Sequence, residues 1–192
     1  MPRYLIILLS AAMLSSCATF GGFSSPDDVA SPVFQDNRAR ATYLFSRAHL
    51  ASVEGDYPAA LNFLRDALGL DPQSAFLHAA IAEIKIKIGQ APEAMEYLDK
   101  AIKLDPSYRE SYVMAGAILA SSGKDKEAAG YLRTAIRLDP AKEDAYLQLV
   151  VSLMRMFEYE EAVTTLKQLV AKNSESALGY FYLGRTYSQM KL

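Results

Sequence analysis

One phrase returns along the chain at a fixed interval: Leu70-Asp71-Pro72, Leu104-Asp105-Pro106 and Leu138-Asp139-Pro140, each 34 residues after the last. A period of that size is the mark of a stack of like units rather than of one compact core. The residues between the prolines follow the same clock. Ala60, Ala94, Ala128 and Ala162 form one row, and Leu64, Leu98, Leu132 and Leu166 another. Ala67, Ala101 and Ala135 form a third, with Leu169 as its fourth member. Alanines at such sites let two helices approach closely, and the leucines fill the space between them. The Asp-Pro pair predicts the end of one helix and the entry to the next, because proline disfavours helical geometry in the residue before it. Gly55, Gly89 and Gly123 recur in mid-period and predict a tight turn between the two helices of a pair. Phe157 and Ser174 break the glycine and proline series in the fourth unit, which predicts a looser turn and exit there.

This pattern resembles the tetratricopeptide repeat (TPR), a helix-turn-helix unit of 34 residues. The large residue at repeat position 4 reads Leu44, His78, Tyr112, Tyr146 and Tyr180; the small one at position 8 reads Ala48, Ala82, Gly116, Val150 and Gly184. The resemblance implies an all-α fold, a right-handed TPR superhelix (α-solenoid) of antiparallel helix pairs. Four full repeats are expected over 41–74, 75–108, 109–142 and 143–176, with a partial repeat over 177–192, the whole TPR domain spanning 38–192. The first helix is expected near Arg38 to Val53, and the second from near Tyr57, with Pro58 in its first turn, to near Leu70. Asp36 or Asn37, Ser74 and Ser107 are placed to cap the first helices of the first three repeats. The final segment carries its packing positions Tyr180, Leu183, Gly184 and Tyr187 with no second helix after them. Solenoid ends are usually closed by a polar-faced cap, so a longer natural chain or self-association through this end is expected.

Residues 1–16 are of another kind. Arg3 precedes an apolar run from Tyr4 to Met13, too short for the roughly 20 residues a bilayer span needs and laid out as a secretory signal. It ends in Leu14-Ser15-Ser16-Cys17, which is similar to the bacterial lipobox. That resemblance implies a signal peptide over 1–16, diacylation of the Cys17 thiol and acylation of its new amine. With Ala18 rather than Asp next in line, it further implies a lipoprotein on the periplasmic face of the outer membrane. Cys17 is the single cysteine, so no intrachain disulfide is possible. Residues 17–37 read as the lipidated cysteine and a Gly/Ser/Pro-rich tether with a reach of roughly 25 Å. Its apolar residues Phe20, Phe23, Val29, Val33 and Phe34 either lie idle or pack on the first repeat as a cap.

Composition excludes several functions. A net charge of −2 gives no electrostatic reason to expect nucleic acid. Gly116 to Lys124 has six residues where a phosphate loop needs four before its Gly-Lys, and Asp125 stands where Ser or Thr is required. His49 and His78 lack convergent further ligands, Glu83 being the nearest to His78, so no metal or cofactor is expected. No nucleophile has a histidine at a suggestive spacing, and no enzyme activity is expected within these residues.

What remains is recognition. The TPR resemblance implies that positions 2, 5, 9, 12 and 13 of each first helix line a concave groove. Positions 5, 9 and 12 share one helical face. They include Phe45, His49, Glu83, Ile86, Val113, Leu147, Val151, Met154, Phe181 and Arg185. The lysine, asparagine and arginine clamp that some chaperone-binding TPRs use for a terminal carboxylate is absent, since Phe45, His49, Glu110 and Met114 stand there. An apolar strip through repeats three to five, edged by Asp144, Arg155 and Arg185, is expected to accept an amphipathic helix or extended apolar segment of a protein or peptide partner, unless the coil buries that strip. The expected function is a lipid-anchored scaffold or adaptor in the bacterial envelope, of the kind exemplified by pilotins and by adaptors for envelope assembly or peptidoglycan-processing enzymes. The alternatives are a docking arm of an enzyme whose catalytic domain lies beyond residue 192, and a structural spacer between membrane and wall.

Overall fold

The computed structural model describes residues 36–191, so Cys17, the signal region and nearly all of the tether lie outside the described residues. Nine helices follow one another there: α1 (Asn37–Val53), α2 (Tyr57–Leu70), α3 (Ala75–Lys87), α4 (Ala91–Leu104), α5 (Arg109–Ser121), α6 (Asp125–Leu138), α7 (Glu143–Arg155), α8 (Tyr159–Lys172) and α9 (Ala177–Gln189). Odd-numbered helices are the first members of each pair and even-numbered ones the second. Each helix packs on its neighbours in sequence, and α5, α7 and α9 also touch one another in turn. The result is an all-α TPR superhelix.

The alanine and leucine rows are the reason the pairs close. Ala60, Ala94, Ala128 and Ala162 are fully buried, as are Leu98, Leu132 and Leu166, with Leu64 nearly so. Each such leucine stabilises the stack by about 1.5–3 kcal/mol. At position 8 the third repeat is close-packed. A Cβ on Gly116 would lie 2.7 Å from Cγ of Leu132, so α5 approaches α6 more closely than any larger residue allows.

The turns inside the pairs are of one design. Gly55, Gly89 and Gly123 have φ of 82°, 77° and 74°, a region that costs an L side chain energy. In each turn two amides close back onto the helix: Gly55 N–H donates to Ser52 O (3.2 Å) and Asp56 N–H to Ala51 O (2.8 Å). These are the two bonds of a Schellman cap. The expected loosening at Phe157 does not occur. Phe157 adopts φ 62° and keeps both bonds, its own amide to Met154 O (3.2 Å) and that of Glu158 to Leu153 O (2.9 Å). The bonds belong to the backbone, which any residue supplies, so the substitution costs strain rather than order. Its side chain is 74% exposed and meets Tyr159 edge-on.

The exit at Ser174 is likewise kept. Asn173 N–H donates to Leu169 O (2.8 Å), and the Asn173 side-chain oxygen accepts from Glu175 N–H (3.2 Å). Asp105 and Asp139 make the same local turn with Ser107 and Ala141. The Asx turn is thus common to exits with and without proline, and it keeps the exit at Ser174 in form. One cap differs from expectation. Asp36 and Ser74 cap α1 and α3, accepting from Arg38 and Leu77 amides, but Ser107 does not cap α5. Its hydroxyl donates to Asp105 (2.6 Å), since α5 starts at Arg109, too far on for Ser107 to act as the cap residue. Both bonds from Ser107, hydroxyl then amide, hold the Asp105 carboxyl below its usual value.

Position 4 carries a second repeated device. Tyr112 and Tyr146 donate their hydroxyls to the carbonyls of Pro106 (3.1 Å) and Pro140 (3.5 Å), and Nε2 of His78 meets that of Pro72 (3.4 Å). Each side chain thereby ties its helix to the loop that enters it.

Candidate functional site: the groove over the odd-numbered helices

One face of the stack is built almost wholly by odd-numbered helices, because each pair turns its second helix to the other side. Beside a hollow of about 430 Å³ at its α1 end, lined by Arg38, Thr42, Phe45 and Phe76, two clefts lie along it. The first has a volume of about 210 Å³ and is lined from α1, α3, α5 and the start of α7. Phe45 and Phe76 meet edge-on at 4.6 Å, and Phe76 meets Tyr108 at 6.4 Å, giving an aromatic wall across the first two repeats. Ala79, Val113 and Met114 form an apolar floor. Arg109, only 7% exposed, forks onto both carboxylate oxygens of Asp144, and its remaining Nε has no partner. Glu83 and Glu110 stand on the rim, Glu83 paired with Lys87 at 3.0 Å and Glu110 3.9 Å from Arg109. Burial first, then the charges of Glu110 and Glu83, push the Tyr108 hydroxyl above its ordinary value.

The second cleft, about 410 Å³, is lined from α5, α7 and α9. Leu147 and Val151 are half-buried and form its floor, with Ala117 and Ala120 on one side and Leu178 and Tyr182 on the other. It runs on into a hollow of about 240 Å³ bounded by Met154, Arg155 and Arg185. Arg155 pairs with Asp125 (2.6 Å) and donates to Ala120 O (3.2 Å). Arg185 is exposed and makes no ion pair among the described residues. The strip is open, not coiled into the interior.

Of the residues that the sequence places in the groove, Phe45, Glu83 and Val113 line the first cleft, Leu147 and Val151 the second, and Met154 and Arg185 the hollow beside it. Ile86 is half-buried against the core of the second and third repeats. His49 is exposed on α1 away from both clefts, and Phe181, 59% exposed, stacks edge-on with Tyr182 at the open end. Sequence reasoning passed over Phe76, Tyr108, Arg109 and Leu178. Phe76, Asp144 and Leu178 are all position 2, so the row itself was the signal. The Arg109–Asp144 bond joins residues one period plus one apart, a separation that Lys87–Ser52 and Arg155–Ala120 share.

Chemically the face offers apolar walls and charged rims. Among the described residues no three His, Cys, Asp or Glu come together as a metal site, and no helix is long and apolar enough to cross a membrane. His78 is buried beside Tyr97 rather than in the groove. Burial lowers its pKa, against the pull of the Pro72 carbonyl, and Lys100 lowers it further.

A tetratricopeptide repeat family model matches residues 54–117 and 119–180. No curated protein matches the sequence. Among solved structures, PilF of Pseudomonas aeruginosa superposes with a TM-score of 0.72 at 20% identity, covering 81% of this chain and 71% of that one. MamA superposes at 0.70 with 22% identity over 80% and 84%. YrrB, described as a TPR protein with an unusual peptide-binding site, superposes at 0.66 with 22% identity over 83% and 82%. These likenesses concern the fold.

Proposed function

The chain belongs to the tetratricopeptide repeat family, and we propose that it is a lipid-anchored adaptor of the bacterial envelope that holds an apolar segment of a protein partner in its groove. A protein-binding scaffold is what the repeat family implies; the anchor, the place and the groove are the proposal's own content. The observation that carries it is the open second cleft. Leu147 and Val151 help line an apolar cleft of about 410 Å³ that is open among the described residues. Such a surface is stabilised by removing it from water, and an amphipathic helix or extended segment fits its shape. YrrB and a domain of RPAP3 with an HSP90 peptide are TPR structures described as binding peptides, which is in keeping with this reading. The family model is that of a repeat and names no reaction.

The test is Leu147→Glu with Val151→Glu. The double variant is expected to melt within a few degrees of the parent and to lose its partner in pull-down from the native envelope. Collapse of melting would place both side chains in the core and end the groove reading. The anchor rests on Leu14-Ser15-Ser16-Cys17 after a short apolar run. Several acyl chains at about 0.8 kcal/mol per buried CH₂ would hold the protein firmly. Cys17→Ser is expected to abolish uptake of labelled palmitate; continued labelling would refute lipidation there, and fractionation of the parent would test the outer-membrane assignment.

A further inference from the structure

We infer that the groove sorts charge along its length, so that its occupant carries a cationic group over α3 and α5 and a carboxylate over α7 and α9, with an apolar stretch between. This rests on the groove reading above and adds the order of chemistry within it.

The first cleft shows an occupant an excess of carboxylate. Of the two cations paired with its carboxylates, Arg109 is buried and forked onto Asp144, and Lys87 pairs with Glu83 at 3.0 Å, so against Glu83, Glu110 and Asp144 one carboxylate stays in excess. Glu83 and Glu110 keep side-chain exposures of 57% and 53% at the rim. Beside them, Phe76 is exposed as part of the wall with Phe45 and Tyr108. A lysine or arginine entering there meets carboxylates at the rim and aromatic faces within, two attractions that add for a cation and for nothing else. The second cleft and its hollow show the reverse. The nearby carboxylate, Asp125, is largely covered and is taken by Arg155. Arg185 is exposed and unpaired among the described residues, and its planar fork suits a carboxylate. Between the two lie Val113 and Ala117, small and uncharged, which ask only for apolar contact.

Such an arrangement selects orientation more than strength. Exposed charges contribute little affinity each, but a segment laid the other way round sets like charges face to face. The occupant is therefore read in one direction.

The experiment uses the full chain and three labelled synthetic peptides of equal length, each with a photo-crosslinking residue: amphipathic Leu/Lys, Leu/Glu and Leu/Gln. The Leu/Lys peptide should crosslink to α3 and α5, and Glu83→Gln with Glu110→Gln should weaken it about tenfold. Arg185→Gln should leave it within about twofold and should weaken the Leu/Glu peptide about threefold, whose crosslinks should fall on α7 and α9. Raising salt should weaken both charged peptides and spare Leu/Gln. All three substitutions are at exposed positions, and unchanged melting verifies each fold. Both charged peptides crosslinking one cleft, or neither responding to its variant while Leu/Gln still binds the groove, would overturn the charge order alone. Failure of all three to enter the groove would overturn the groove reading with it.

Discussion

Gly116 and Gly184 occupy the same position of the third and fifth repeats, and their surroundings are opposite. A Cβ at Gly116 would collide with Leu132; one at Gly184 would meet nothing within 4 Å. The position-4 tyrosines of the fourth and fifth repeats show a like contrast. Tyr146 in the fourth repeat is 2% exposed and bonded to Pro140 O, whereas Tyr180 is 52% exposed. The packing code is identical in both regions. What differs is whether a following helix is present among the described residues to fill the slot. In a solenoid, then, burial is a property of the neighbour as much as of the residue.

The largest effect expected from this contrast is at the crowded glycine. Gly116→Ala should destabilise by about 1–3 kcal/mol, because Leu132 must leave its rotamer or α5 must move off α6. Thermal and urea melting measure it, and an unchanged midpoint would mean that the contact is not tight in solution. Next comes Phe157→Gly, expected to gain about 1 kcal/mol by removing the left-handed strain while keeping both backbone bonds. A loss instead would show that the edge-on contact with Tyr159 outweighs the strain. Gly184→Ala should gain up to about 1 kcal/mol from helix propensity alone, since there is room for the methyl group. Opposite signs at Gly116 and Gly184 are the sharpest form of the comparison, and equal signs would break it.

The smallest effect is a pH dependence in the position-4 row. His78 has its pKa lowered by burial, so at pH values around its ordinary value the unfolded chain binds more protons than the folded one. Stability should therefore fall as pH drops through about 6.5 and below. The groups around the ring, Tyr97, Lys100 and the Pro72 carbonyl, offer no carboxylate to reverse that sign. Replacing His78 with Tyr, the residue that Tyr112 and Tyr146 supply in the same row, should flatten the profile between pH 7 and 5.

Local signals were legible in the sequence wherever one repeat sufficed to state them. The Pro58 entry placed α2 near its observed span of Tyr57–Leu70, and the alanine and leucine rows named the core. Phe157 was misjudged because the missing glycine was read through its side chain, while the turn is held by backbone amides that remain. Ser107 was misjudged because Asp105, two residues away, competes for its hydroxyl. The groove was legible along single helix faces and illegible across them. Arg109 looks like a surface charge until Asp144, in the next repeat, comes beside it. Only the 34-residue geometry puts the two together.

The fifth repeat has one further consequence. Every major helix contact in this stack is between near neighbours, so cooperativity decays along it. α9 is flanked only by α7 and α8 among the described helices, yet it supplies Tyr182 and Arg185 to the second cleft. That half of the groove is therefore coupled to α9, and an occupant binds it only as tightly as α9 is seated. A ligand there would act as the clasp of the solenoid, slowing exchange in α9 from a distance at which α1 and α2 feel nothing.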